Sequence, residues 1–432
     1  MHPVIPPRLF VLNRNKLCKM LKKGSVAITH SNDEMPRNGD QYFPFRQNSD
    51  LYYLTGINQE KTILMLCPDH PVAKNREILF IIRPDTTLEI WHGKKLTRSE
   101  ASLISGVSNV VFIDEFHQYL NEIVYSSEII YLNMMENPRF PKDIASRDQR
   151  YAQNILDQFP LHTLERLQPL LINLRLLKEP EEINIIRHAC NITGKAFTRV
   201  LNYIKPGVYE YEVEAEISHE FRINKSDGHA YYPIIASGEN ACILHYVSND
   251  SQCKDGELLM IDFGAEFSNY ASDCSRTLPV NGRFTKRQKD LYDATLRVFN
   301  KTRTIMVKGT SIGLINKQVG QFWEEEHVQL GLYSMNDLRQ QNPETPLYAK
   351  YFMHGVSHFM GLDVHDVGSR SQILEPGMIL TCEPGIYIQE ENIGIRIENN
   401  ILITEDEPID LMQNIPIETE EIEEIMNKKT SR

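Results

Sequence analysis

The chain has 432 residues, 41% hydrophobic and 24% charged, with a formal net charge of −12. That length predicts two or three domains and a core that needs no disulfide or structural metal. The acidic balance argues against general affinity for nucleic acid or anionic membrane. Cys18, Cys67, Cys190, Cys242, Cys253, Cys274 and Cys382 are odd in number and form no C-x-x-C pair, which excludes a zinc knuckle and fits a reducing cytoplasm.

The opening stretch MHPVIPPRLFVLNRNKL lacks the positive region, apolar core and cleavage site of an export signal, and no apolar run approaches the ~18 residues of a membrane helix. A helical pattern from Leu9 to Leu21 precedes the apolar bursts TILMLC and ILFII, which predicts a small α/β domain. The pattern changes around residues 165 to 175, so domains 1–170 and 171–432 are expected. Beyond the boundary Pro180 suits a first helical turn, Glu181 and Glu182 suit its positive dipole end, and Ile183, Ile186 and Cys190 make a core-facing stripe. Further helices are expected over Glu212 to Asn224 and Lys286 to Val307, with strand-rich stretches after 230 and 355. This order predicts an α+β domain rather than a doubly wound one. ETEEIEEIMNKK near the end reads as a solvated acidic helix.

Four carboxylates stand where strands prefer apolar residues. In GELLMIDFGAEFSNYASDCSRTLPV, two β-like runs, 257 to 263 and 270 to 280, flank the turn AEFSN, and their pairing would bring Asp262 and Asp273 onto neighbouring strands. A carboxylate entering a buried strand must be paired or coordinate a metal. In MILTCEPGIYI the period of two puts Thr381 and Glu383 on one face, and in IGIRIENNILI it puts Arg396 with Glu398. Buried salt bridges would account for a single pair, but one arginine cannot neutralise four acids. With one imidazole, such a hard, oxygen-rich set favours manganese, cobalt, iron or zinc in a two-metal site.

MHGVSHFMGLDVHD offers the imidazoles His354, His358 and His365. Gly355 occupies the place of the glutamate in the zinc-protease signature H-E-x-x-H, so that motif is absent. Gly355 and Gly361 oppose a continuous helix, and the segment reads as strand and loop. These residues alone leave open which histidine binds a metal.

The series D-F-G (262–264), D-C-S-R-T (273–277), H-G-V-S-H (354–358), G-L-D-V-H-D (361–366), E-P-G (383–385) and G-I-R-I-E-N (394–399) resembles the pita-bread-fold metallopeptidases, in particular the Xaa-Pro aminopeptidase (aminopeptidase P) branch. YFPFRQNSDLYYLTG, Tyr42 to Gly56, resembles that branch's creatinase-like N-terminal domain, so the likeness spans nearly the whole chain. It implies that Asp262 chelates one divalent ion, Asp273 and Glu398 bridge two, and His358 and Glu383 complete the second. Manganese is the expected metal, with zinc, cobalt or iron as substitutes. It further implies that His354 and His365 line the pocket and hold the substrate carbonyl and its oxyanion, and that His245 is a further catalytic and substrate-binding pocket histidine. Arg396 and Tyr387 would orient the carboxylates, and Trp91 would reach a neighbouring subunit's pocket.

The activity implied is release of the N-terminal residue from peptides with proline second, by attack of a hydroxide shared between the two ions, with Glu383 carrying the proton to the proline nitrogen. Peptides are the expected partners, with no nucleic acid and no membrane, and a cytoplasmic homo-oligomer of two or four chains is implied. The segment between Glu383 and Glu398 is shorter than in that family, which bears on peptide-length preference. The rivals are a prolidase restricted to dipeptides, a non-catalytic pita-bread binding protein and a methionine aminopeptidase. Five filled ligand positions speak against the second, and the large N-terminal domain against the third.

Overall fold

A computed structural model describes residues 4–136 and 144–428, which fall into two compact units, Val4–Arg175 and Leu176 onward.

In the first unit, helix Pro7–Met20 precedes a six-stranded mixed sheet in the order Val110–Phe112, Glu77–Ile81, Ile63–Leu66, Ser25–His30, Ile129–Leu132 and Thr163–Arg166. The bursts TILMLC and ILFII supply two of these strands, paired antiparallel with Ile63 opposite Phe80. Strands buried on both faces read as unbroken apolar runs. Helices Phe116–Val124 and Arg147–Gln158 contribute Phe116, Leu120, Ile123 and Ile155 to the core. Polar groups are buried here too, among them a histidine and an aspartate. His30 packs its ring against Tyr151 at 3.9 Å and Phe116 at 6.2 Å. Asp50 takes Arg175 Nη1 at 2.7 Å and Asn133 Nδ2 at 2.8 Å.

The second unit is α+β. Helix Pro180–Tyr203 starts at its proline, with Glu181 and Glu182 in the first turn, and Ile186 and Cys190 on its buried side. Helices Glu210–Ile223, Lys286–Ile305 and Ile312–Gln329 follow. Strands Ile234–Ser237, Leu258–Phe263 and Cys274–Pro279 form one antiparallel sheet, and Ile379–Cys382 pairs with Asn399–Leu402. A hairpin of Gly385–Ile388 and Ile393–Arg396 joins them, its turn fixed by Asn392 at φ 55°. Strand Ile393–Arg396 presses on the turn Gly238–Cys242: a Cβ at Gly394 would lie 2.2 Å from the Ala241 carbonyl oxygen. The acidic segment near the end is helical over Thr419–Asn427, and Lys429 lies outside the described residues. No helix among the described residues is long and apolar enough to cross a membrane.

Candidate metal centre

The predicted pairing of the two aspartate-bearing runs is present. Strands 258–263 and 274–279 are antiparallel with Asp262 opposite Ser275, and Asp273 enters one residue before the second strand. Asn400 clamps Asp273 at its main chain, with Nδ2 donating to Asp273 O at 2.8 Å and Oδ1 accepting from Asp273 N at 3.1 Å. Glu398 emerges between strands 393–396 and 399–402, where Ser275 Oγ donates to its Oε2 at 2.7 Å. The segment around His358 is irregular and not helical, with one isolated bridge: Phe359 pairs with Leu380, and Thr381 N donates to His358 O at 2.9 Å. Thr381 and Glu383 share a face, with Thr381 Oγ1 donating to Glu383 Oε1 at 3.3 Å.

These elements converge. Ligand atoms of Asp273, His358 and Glu398 all lie within 4.8 Å of one another. His358 Nε2 is 3.3 Å from Asp273 Oδ2 and 3.7 Å from Glu383 Oε1. Asp262 joins through Arg396, whose Nη2 donates to Asp262 Oδ2 at 2.6 Å while its Nε donates to Ser275 Oγ at 2.8 Å.

The electrostatics record an unbalanced charge. Burial, aided by Asp273 and opposed by Arg396, raises the Asp262 carboxyl above its ordinary range. Burial lifts Glu383 to about 7, and burial with the neighbouring acids lifts Glu398 well above the usual carboxylate. Burial works against protonation of His358, but Asp273 and Glu383 outweigh it and hold the imidazole up to about 9. Asp262, Glu383 and Glu398 thus draw protons, and the cluster holds a positive imidazole, in a space with one arginine. Divalent cations would remove that imbalance, and the oxygen-rich set with one nitrogen fits them.

Tyr231 is a site residue that the sequence did not reveal. Its hydroxyl lies 2.6 Å from both Asp262 Oδ1 and Asp273 Oδ1. A phenol has one hydrogen to give, so the second contact requires a carboxyl proton or a nearby cation. The only signal for it is register: Tyr231 lies three residues before Ile234, which pairs with Asp262.

A relay fixes His354. Arg396 Nη1 donates to the Tyr387 oxygen at 2.8 Å, Tyr387 O–H meets His354 Nε2 at 2.8 Å, and His354 Nδ1 meets the Gly355 carbonyl at 2.8 Å. A carbonyl only accepts, so Nδ1 carries the hydrogen and Nε2 accepts from the phenol. Burial and the Arg396 charge press His354 down to about 3, so it is neutral. His365 is exposed and sets its ring edge to face on His358 at 4.3 Å. His245, also exposed, is close enough to His354 to act on it electrostatically. Trp91 belongs to the first unit, on helix Thr86–His92, and is 79% exposed.

Comparison with known proteins adds the lineage. Residues 184–405 match metallopeptidase family M24, and residues 10–131 match the aminopeptidase P N-terminal domain. The Xaa-Pro aminopeptidase of Escherichia coli is 37% identical over 96% of this chain and 97% of its own length. That of Haemophilus influenzae is 35% identical, with 98% of each covered. A solved Escherichia coli aminopeptidase P variant in complex with substrate superposes with a TM-score of 0.88 at 35% identity, covering 99% of this chain and 100% of that one. With both domains matched and full-length relatives above a third identity, the chain belongs to metallopeptidase family M24, as a pita-bread catalytic domain behind an aminopeptidase P N-terminal domain.

Proposed function

We propose that this protein is a metal-dependent Xaa-Pro aminopeptidase, releasing the N-terminal residue from peptides whose second residue is proline. The observation that carries the reading is the convergence of four carboxylates and His358 around a single arginine. The full-length likeness to Xaa-Pro aminopeptidases supports the substrate class.

Asp262, Asp273, His358, Glu383 and Glu398 are the residues that would hold the divalent ions. Bound there, such a pair acidifies water and polarises a carbonyl at neutral pH. Glu383 accepts a proton at a carboxylate oxygen and passes it to the proline nitrogen, which must be protonated to leave. Burial raises its carboxyl toward neutrality, which supports a proton-carrying role. Tyr231 and Arg396 keep the Asp262 oxygens aimed inward, which preserves ligand geometry. His365 and His245 present N–H groups to the carbonyl and its developing oxyanion. His354, kept neutral by burial and the Arg396 charge and fixed in place by Tyr387 and Gly355, lines the same pocket. Proline lacks the N–H that other residues offer, so a pocket fitted to its ring selects it.

The same reading takes manganese as the metal, with zinc, cobalt or iron able to replace it, and a cytoplasmic homo-oligomer in which Trp91 meets a neighbour's pocket. The seven free cysteines support the compartment. The test is hydrolysis with added manganese, comparing Gly-Pro with a tripeptide beginning Gly-Pro. Cleavage of the tripeptide is expected. Cleavage of the dipeptide alone would make the protein a prolidase, and failure to bind any divalent ion would make it a binding protein.

A further inference from the structure

The loop Gly361 to Gly368, GLDVHDVG, contains no helix or strand, yet it carries His365. Something outside regular structure must therefore fix the imidazole. Main-chain bonds tie the loop, Asp366 N to Phe359 O at 2.9 Å, Gly361 N to Asp363 O at 3.1 Å and Ala271 N to Gly361 O at 2.8 Å. A side-chain restraint comes from far along the chain. Lys178 Nζ lies 3.2 Å from Asp366 Oδ2, and each side chain is 1% exposed. Lys178 is itself tied down, its N–H donating to Gly377 O at 2.9 Å. The space around the pair is tight, because a Cβ at Gly361 would lie 2.2 Å from Asp366 Oδ2 and 2.9 Å from Lys178 Cε.

Burying two opposite charges is a poor route to stability, since the desolvation of both ions offsets their attraction. What such a pair does well is select one geometry, as buried polar groups do when they fix a register. Here the selected residue is the covalent neighbour of His365, whose ring rests on His358. We propose that Lys178 and Asp366 form a buried latch that holds His365 at the mouth of the metal centre, making both positioning residues for hydrolysis. The proposal rests on the role given to His365 above, and it gives the latch no contact with substrate or metal.

The test is a double-mutant cycle in the full-length, metal-loaded enzyme. K178M/D366N removes both charges together, which avoids an unpaired buried ion. It is expected to lower kcat roughly 10- to 100-fold, the scale of an ångström-sized misplacement, with KM nearly constant and two metal ions still bound. In an H365A background the same double change is expected to lower kcat no further. Equal fold-losses in the two backgrounds would overturn the latch, because a merely structural pair acts whether or not His365 is present. An H365A enzyme as active as wild type would instead overturn the role of His365. Should K178M/D366N not fold, K178R keeps the ion pair while changing its reach. A kcat loss of about threefold confined to the His365-containing enzyme would support the latch, and the same loss in both backgrounds would sink it.

Discussion

Asp50 and Asp262 are both aspartates joined to an arginine, Asp50 to Arg175 at 2.7 Å in the first unit and Asp262 to Arg396 at 2.6 Å in the second. Around Asp50 the carboxylate has its partners, one guanidinium and the Asn133 amide, and one further acid, Asp148, feels its charge. Around Asp262 the acids win, since Asp273, Glu383 and Glu398 crowd the same space and Arg396 and the His358 imidazole are too few to answer all four. A balanced buried pair specifies a fold, whereas an unbalanced cluster waits for a ligand of opposite charge. The distinction can be measured.

The largest effect is expected where balance is absent. Asp273→Asn should lower kcat by roughly 10³-fold or more with loss of bound metal. In chelator, however, its melting temperature should hold or rise, because the change removes a repulsive charge. A large drop in the metal-free melting temperature would break the comparison. Asp50→Asn should do the reverse, costing about 3–5 kcal/mol in urea unfolding by stranding a buried guanidinium. An effect below 1 kcal/mol would show that the pair is structurally idle.

Acid and base separate the regions next. In metal-free protein the Glu383 pKa is raised to about 7, so its contribution to stability is complete below its ordinary 4.5 and is lost as pH climbs through 7, about 3 kcal/mol in all. Glu383→Gln should flatten that slope. His30 in the first unit has the opposite sign. Burial depresses its pKa to about 3, so stability is intact above 6.5 and falls as pH drops toward 3. Urea titrations of His30→Leu should show a flattened acid limb, and an unchanged limb would mean that the ring finds a proton-stabilising partner. The smallest effect is at the Tyr231 hydroxyl: Tyr231→Phe should weaken metal binding about 10- to 100-fold while the metal-free chain folds normally. Binding within twofold of wild type would reduce Tyr231 to a packing residue.

Much of this was legible from period-two strands. The paired runs around Asp262 and Asp273, the shared face of Thr381 and Glu383, and the non-helical character of His354 to His358 follow from local pattern, and each is present. What local pattern cannot carry is the identity of distant partners. Tyr231 meets its aspartates 31 and 42 residues away, and Lys178 meets Asp366 across 188. Nothing in HAYYPIIAS marks the first tyrosine as different from the second, because the distinction arises only when Ile234 falls opposite Asp262. The hydrogen placement on His354 was equally invisible, since it is decided by the Gly355 carbonyl and the Tyr387 phenol together.

Gly394 gives the second unit a zero-clearance joint. With no side chain between them, the strand leading to Arg396 and the turn leading to His245 behave as one machined part. A single methyl group added there would wedge the two apart. The error would spread in both directions, tilting Arg396 and Glu398 on one side and shifting a pocket wall on the other. Any redesign of substrate preference at this rim therefore has to work around that seam.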